Sequence, residues 1–217
     1  MSFLARSARP FEQLDVVGIA FLIQNGQNHV GFLVRYHAQI HICHLAWHHA
    51  LVFQPVPNYY FWDDCHFLAD DRASALSLAG YIIAIGTTAH DVPFGITYID
   101  NAFDHHGRFI AVPEGLGLTC ATFVMSVLSH LAFQIFDLST WSWRFSDIWW
   151  QWKIIRRLRR DGATDHANTM RRHIGSRRFR PEEVAAAASG PEIPLTFQDA
   201  RRRGRVVITD VRAAMQG

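Results

Sequence analysis

"HVGFLVRYHAQIHICHLAW", His29 to Trp47, decides the fold. "HVGFLVRY" (His29–Tyr36) and "AQIHICHLAW" (Ala38–Trp47) are apolar runs of strand length, with a polar turn between them. Upstream, "LDVVGIAFLI" (Leu14–Ile23) is a third such run, and "QNGQN" (Gln24–Asn28) is a turn cluster. The three runs predict an antiparallel meander.

Pairing decides which histidines meet. A hairpin turning at Tyr36–His37 sets His29 opposite His44, on one side of the sheet. A shifted loop centred on Arg35 sets His29 opposite His41 instead. The polar "RYHA" turn favours His44. His48, in "HLAWHHA", is a third candidate.

Helices are expected downstream. "DDRASALSLAGYIIAI" (Asp70–Ile85) has an aspartate at its start and apolar residues at helical spacing. "PVPNYY" interrupts the strand pattern before it, and "FGITYID" reads as a short strand after it. "GLGLTCATFV" (Gly115–Val124) is a glycine-rich approach to a helix expected from Cys120 to Phe136. Gly115 to Phe136 carries no charged residue, but its glycines, hydroxyls, His130 and Gln134 fit a buried helix better than a membrane span. Further on, Ser146 and Asp147 start a helix with Ile148, Trp152 and Ile155 on one face. "RPEEVAAAASG" (Arg180–Gly190) is a short helix with Pro181 at its first position. "GRVVITDV" reads as an edge strand.

Composition bounds the class. At 217 residues and about half hydrophobic, the chain can bury a core. Three cysteines, Cys43, Cys65 and Cys120, are too few for a disulfide framework, so an important cysteine would act as a thiol. The start lacks an apolar signal region. That leaves a cytosolic protein, or one exported through a specialised secretion system. Residues 1–150 carry 6 basic and 12 acidic residues, and residues 151–217 carry 15 and 7. Trp141, Trp143, Trp149, Trp150 and Trp152 lie near this arginine-rich tail. Such a tail suits an anionic surface, whether membrane or nucleic acid. The preferred reading packs the Trp face on the body or on a partner protein.

A cysteine at a helix N-terminus sits where the dipole favours the thiolate. Nucleophilic chemistry then needs a base, usually His, and a group that orients it. Cys120, His29 and His44 supply these types, with His41 and His48 as alternative orienting groups. A zinc site from His44, His48, Cys65 and His66 is the metal alternative. It lacks HExxH or paired CxxC spacing, so no cofactor is expected.

"HVGFLV…HICHLA" followed by "TCATFV" resembles the permuted branch of the NlpC-type papain-like superfamily, which includes the lecithin retinol acyltransferase family and bacterial hydrolases. The resemblance covers roughly residues 12–135. It implies His29 as base, Cys120 as nucleophile and His44 (or His41) as orienting group. Thr119, Ala121 and Thr122 stand where the acyltransferases carry Asn before and Glu-His after the cysteine. The expectation is therefore a peptidase or amidase acting on an acyl or peptide substrate, such as an effector attacking peptidoglycan or host protein. A thioesterase or lipid acyltransferase is the alternative, and a non-enzymatic binding module the second rival. The expected fold is α+β: a small, mainly antiparallel sheet packed on the nucleophile helix. Residues 1–138 form the catalytic domain, and residues 139–217 a mostly helical basic extension.

Overall fold

The computed structural model describes residues 3–5, 9–24, 26–110 and 112–216. The fold is α+β. Strands β2 (Val17–Gln24), β3 (Gln27–Tyr36), β4 (Gln39–Trp47) and β5 (Ala50–Pro55) form an antiparallel meander. β6 (Phe61–Asp64) returns to pair with β2, and β1 (Leu4–Ala5) extends that edge, giving the order β1-β6-β2-β3-β4-β5. The break expected at "PVPNYY" spans the end of β5 and the loop before β6. Asn25, in the β2–β3 turn, lies outside the described residues.

The β3–β4 turn differs from expectation. It is a two-residue turn at His37–Ala38, with φ of 45° and 63°. Two left-handed residues give the twist that a tight hairpin needs. Tyr36 therefore pairs with Gln39, and Phe32 with Cys43. The slip is two residues from the expected register, so every side chain keeps its face.

The β3–β4 ladder stops at Phe32 and Cys43. Beyond it, β3 stays paired with β2 through His29 and Asn28, while β4 stays paired with β5 through His44 and Leu45. The sheet is thus slit at one end.

Helices cover one face of the sheet. α1 (Arg72–Thr88) starts at Asp71, whose carboxylate accepts the Ser74 N–H at 3.0 Å. α2 (Cys120–His130) is buried from Cys120 to Ser129. It ends earlier than Phe136, because Ala132 turns left-handed (φ 63°) and the Phe133 N–H folds back to Leu128. Ile19, Phe21, Val30 and Phe32 of the sheet pack with Phe123, Val124 and Val127 in one apolar core. The other face buries Ala20, Leu33, Ile42 and Trp62 beneath Phe11, Leu14 and Tyr60.

The C-terminal helices join the first of these cores. α3 (Phe145–Arg160), α4 (Thr164–Met170), α5 (Pro181–Ala188) and α6 (Phe197–Gln216) contribute Ile155, Met170, Val184 and Val207 to it. Every residue of α5 is buried. α3 turns inward Asp147, Gln151, Ile154, Ile155 and Leu158; of the expected face Ile155 is buried, while Ile148 and Trp152 are only half-buried beside that stripe. Trp149 faces solvent, whereas Trp141 is buried.

Two expected strands are absent. "GRVVITDV" lies inside α6, where Ala200, Gly204, Val207 and Val211 are buried at helical spacing. That periodicity outweighs the strand preference of Val-Val-Ile-Thr. "FGITYID" makes only a single bridge, Phe94 with Leu118. Its backbone serves the loop before Cys120 instead: the Gly95 N–H donates to Leu118, and the Leu118 N–H to Pro93. A Cβ on Gly95 would lie 2.4 Å from the Gly117 nitrogen, so these two chains meet backbone to backbone. Among the described residues, no helix is long and apolar enough to cross a membrane.

Candidate active site at the start of helix α2

Cys120 is held by its cap. The Thr119 hydroxyl accepts the Thr122 N–H at 3.0 Å, and the Thr122 hydroxyl accepts the Thr119 N–H at 2.7 Å. This reciprocal pair satisfies the donors around the first turn and fixes where the helix begins. Cys120 is the first helical residue, so its N–H has no intrahelical acceptor.

The sulfur is buried, and burial pushes the thiol up to about 11. The N–H groups of Val30, Ala121 and Cys120, with the charge of Arg178, favour the thiolate but do not outweigh burial. At this helix start desolvation exceeds the dipole.

His29 and His44 meet. They share a face of the sheet, and His29 Nε2 hydrogen-bonds His44 Nδ1. Their ring centroids are 4.5 Å apart, edge to face. Gly31 makes room for this. A Cβ there would lie 2.6 Å from His44 Cβ and 2.9 Å from the Cys43 carbonyl oxygen. Burial lowers His29 to about 4. Burial, then the neighbouring His29, lowers His44 to about 3. At neutral pH both rings are uncharged, and one donates to the other. With Nε2 occupied, Nδ1 is the nitrogen His29 has left.

The other histidines lie elsewhere. His41 projects to the opposite face, against Tyr36 and Phe53. His48 accepts the Phe94 N–H at 3.1 Å and stacks near His166. Cys65 and His66 sit at the end of β6, where His66 contacts Asp63 at 3.0 Å. Among the described residues, no three His, Cys, Asp or Glu side chains are grouped to share one metal ion.

Cys120 and His29 line one cavity of about 290 Å³ at the slit between β3 and β4. Trp47, Phe94, Trp150 and Ile154 give it apolar walls. A second cavity, about 380 Å³, adjoins it on the far side of His29 and is lined by His44, Tyr59 and Tyr60. Arg157, 4.1 Å above the Trp47 ring, borders both.

Sequence reading missed the residues that the C-terminal part brings here: Arg157, Arg178, Arg180 and Glu182. The excess of arginine in the tail was the available signal. It did not show that α3 and α5 pack beside Cys120. Glu182 accepts a hydrogen bond from Asn28 at 2.8 Å, tying α5 to the start of β3.

No protein-family model, curated protein or solved structure matches the chain.

Proposed function

We propose that the protein is a cysteine-dependent hydrolase, a peptidase or amidase, with Cys120 as nucleophile, His29 as general base and His44 as the residue orienting it. The observation that carries this reading is the shared cavity. His29 and Cys120, the first residue of α2, both line this space at the slit in the sheet, and His29 hydrogen-bonds His44, which lines the adjoining cavity on the sheet face away from α2.

The resting charges define how the step would run. A thiol near 11 and an imidazole near 4 lining the same cavity are both neutral at rest. His29 therefore takes the Sγ proton as the bond to the substrate carbonyl carbon forms. It returns that proton to the leaving nitrogen, and water then releases the acyl group from Cys120. The Cys120 N–H, which has no intrahelical acceptor, is one oxyanion donor. His44 holds the His29 ring through Nε2, which leaves Nδ1 as the nitrogen to take the proton.

Alkylation by iodoacetamide, located on the Cys120 peptide by mass spectrometry, tests the assignment. Cys120, which lines the cavity, is expected to label faster than Cys43 and Cys65, which are more deeply buried. Its rate should climb as pH rises toward 11, with no plateau between pH 5 and 7 such as a standing ion pair would give. His29→Ala should slow labelling at neutral pH roughly a hundredfold. Equal labelling of all three cysteines in the folded protein, or an unchanged rate in His29→Ala, would overturn the reading.

A further inference from the structure

Three arginines gather where α3 and α5 begin, and two of them are fully engaged. Arg144 binds Asp147 at 2.8 Å, and also Glu183. Arg180 binds Asp147 at 2.8 Å and the Ser146 hydroxyl at 2.9 Å. Arg178 is left short. Its one side-chain hydrogen bond among the described residues reaches Asp147 at 3.5 Å, on an oxygen that Arg180 already holds. Glu182, the remaining carboxylate in the cavity wall, accepts from Asn28 at 2.8 Å, and its charge also acts on Arg178 without a direct hydrogen bond between them.

The Arg178 guanidinium nevertheless has a defined place. It lies 3.8 Å over the Trp150 ring and lines the cavity that holds Cys120. Its charge is felt at the sulfur. The Arg178 guanidinium is part-buried, its side chain 17% exposed, so donors that Asp147 does not use are open to the cavity. The Arg178 group is thus a fixed cation beside the nucleophile, facing a space large enough for a ligand.

We infer that Arg178 anchors a carboxylate of the substrate, so that the acyl compounds this protein accepts carry a carboxylate next to the bond that Cys120 attacks. This rests on the reading of Cys120 as nucleophile. A planar, singly charged carboxylate matches one guanidinium fork. The Glu182 carboxylate in the same wall repels a doubly charged phosphate more strongly than a singly charged carboxylate. Arg178 acts in binding and orientation; the bond-making groups remain Cys120 and His29.

The test compares two alkylating agents of nearly equal size on the full chain. Iodoacetate carries a carboxylate, and iodoacetamide carries a neutral amide in its place. Both react at the same sulfur, so the thiolate fraction cancels in the ratio of their rates. The iodoacetate-to-iodoacetamide ratio at Cys120 should exceed that of free cysteine in the same buffer. Arg178→Gln should lower it roughly tenfold, and Arg178→Lys less. Folding of Arg178→Gln is expected to survive. What Trp141 and Arg144 contact is the main-chain carbonyl of residue 178, at 3.1 and 2.8 Å. A wild-type ratio no higher than that of free cysteine, or one unchanged in Arg178→Gln, would overturn the anchor and leave the nucleophile standing. A folded protein whose Cys120 reacts with neither reagent would overturn the nucleophile, and the anchor with it.

Discussion

Gly31 controls the histidine pair without reacting itself. Its missing side chain lets His44 lie against β3 and reach His29. Neither obstacle to a new Cβ can yield cheaply, since one is the His44 Cβ and the other a backbone carbonyl. Gly31→Ala is expected to cost about 1–3 kcal/mol in stability, measured by urea unfolding. It should also slow Cys120 alkylation as the His44 ring moves off His29. A variant with wild-type stability and wild-type labelling would show that the close approach has no role. The residue was visible in "HVGFLV", but its reason was not. That reason lies on β4, across the slit.

Among the elements, α2 depends most on two hydroxyls. Thr119 and Thr122 cap each other, and Cys120 is the next residue into the helix. Thr119→Ala should cost about 1 kcal/mol, seen as a lowered midpoint in thermal unfolding. It should also broaden the pH dependence of Cys120 alkylation, because the first turn would fray. A threonine-to-serine change at the same place keeps the acceptor and should restore both.

The elements also show what could be read in the sequence. Apolar runs of strand length marked β2, β3 and β4, and an aspartate marked the start of α1. The β3–β4 register was not legible, since His37–Ala38 contains neither Gly nor Asn and yet takes two left-handed conformations. The partnership of His29 with His44 survived the slip because two residues restore the same face. α6 was misread because a β-branched run held the eye, while its buried spacing continues across a longer window. No local pattern could announce Arg178 at the site. Its position depends on how α3 and α5 pack on the sheet.

At the scale of the molecule, the charged cluster beneath the site joins α3 to α5. Burial alone would raise the Asp147 carboxyl, but Arg144 and Arg180 outweigh it and hold the group below the usual carboxylate range. Its contribution is therefore full above that range and is lost as pH falls through the lowered value. Asp147→Ala removes the carboxylate shared by Arg144, Arg178 and Arg180. Breaking such a cluster from one side is expected to cost about 3–5 kcal/mol in denaturant unfolding. A loss below about 1 kcal/mol would mean that water already screens the cluster.

Because α5 is buried whole, the order of synthesis matters. A ribosome releases Cys120 and His29 well before it has made Pro181. Until α5 arrives, the sheet face it covers stays open to water, and Glu182 is not there to hold Asn28. The nascent chain therefore carries Cys120 and His29 before the cavity they line is complete. The fold acts as a timer: the cavity that holds the thiol closes only once the segment that encloses it has emerged.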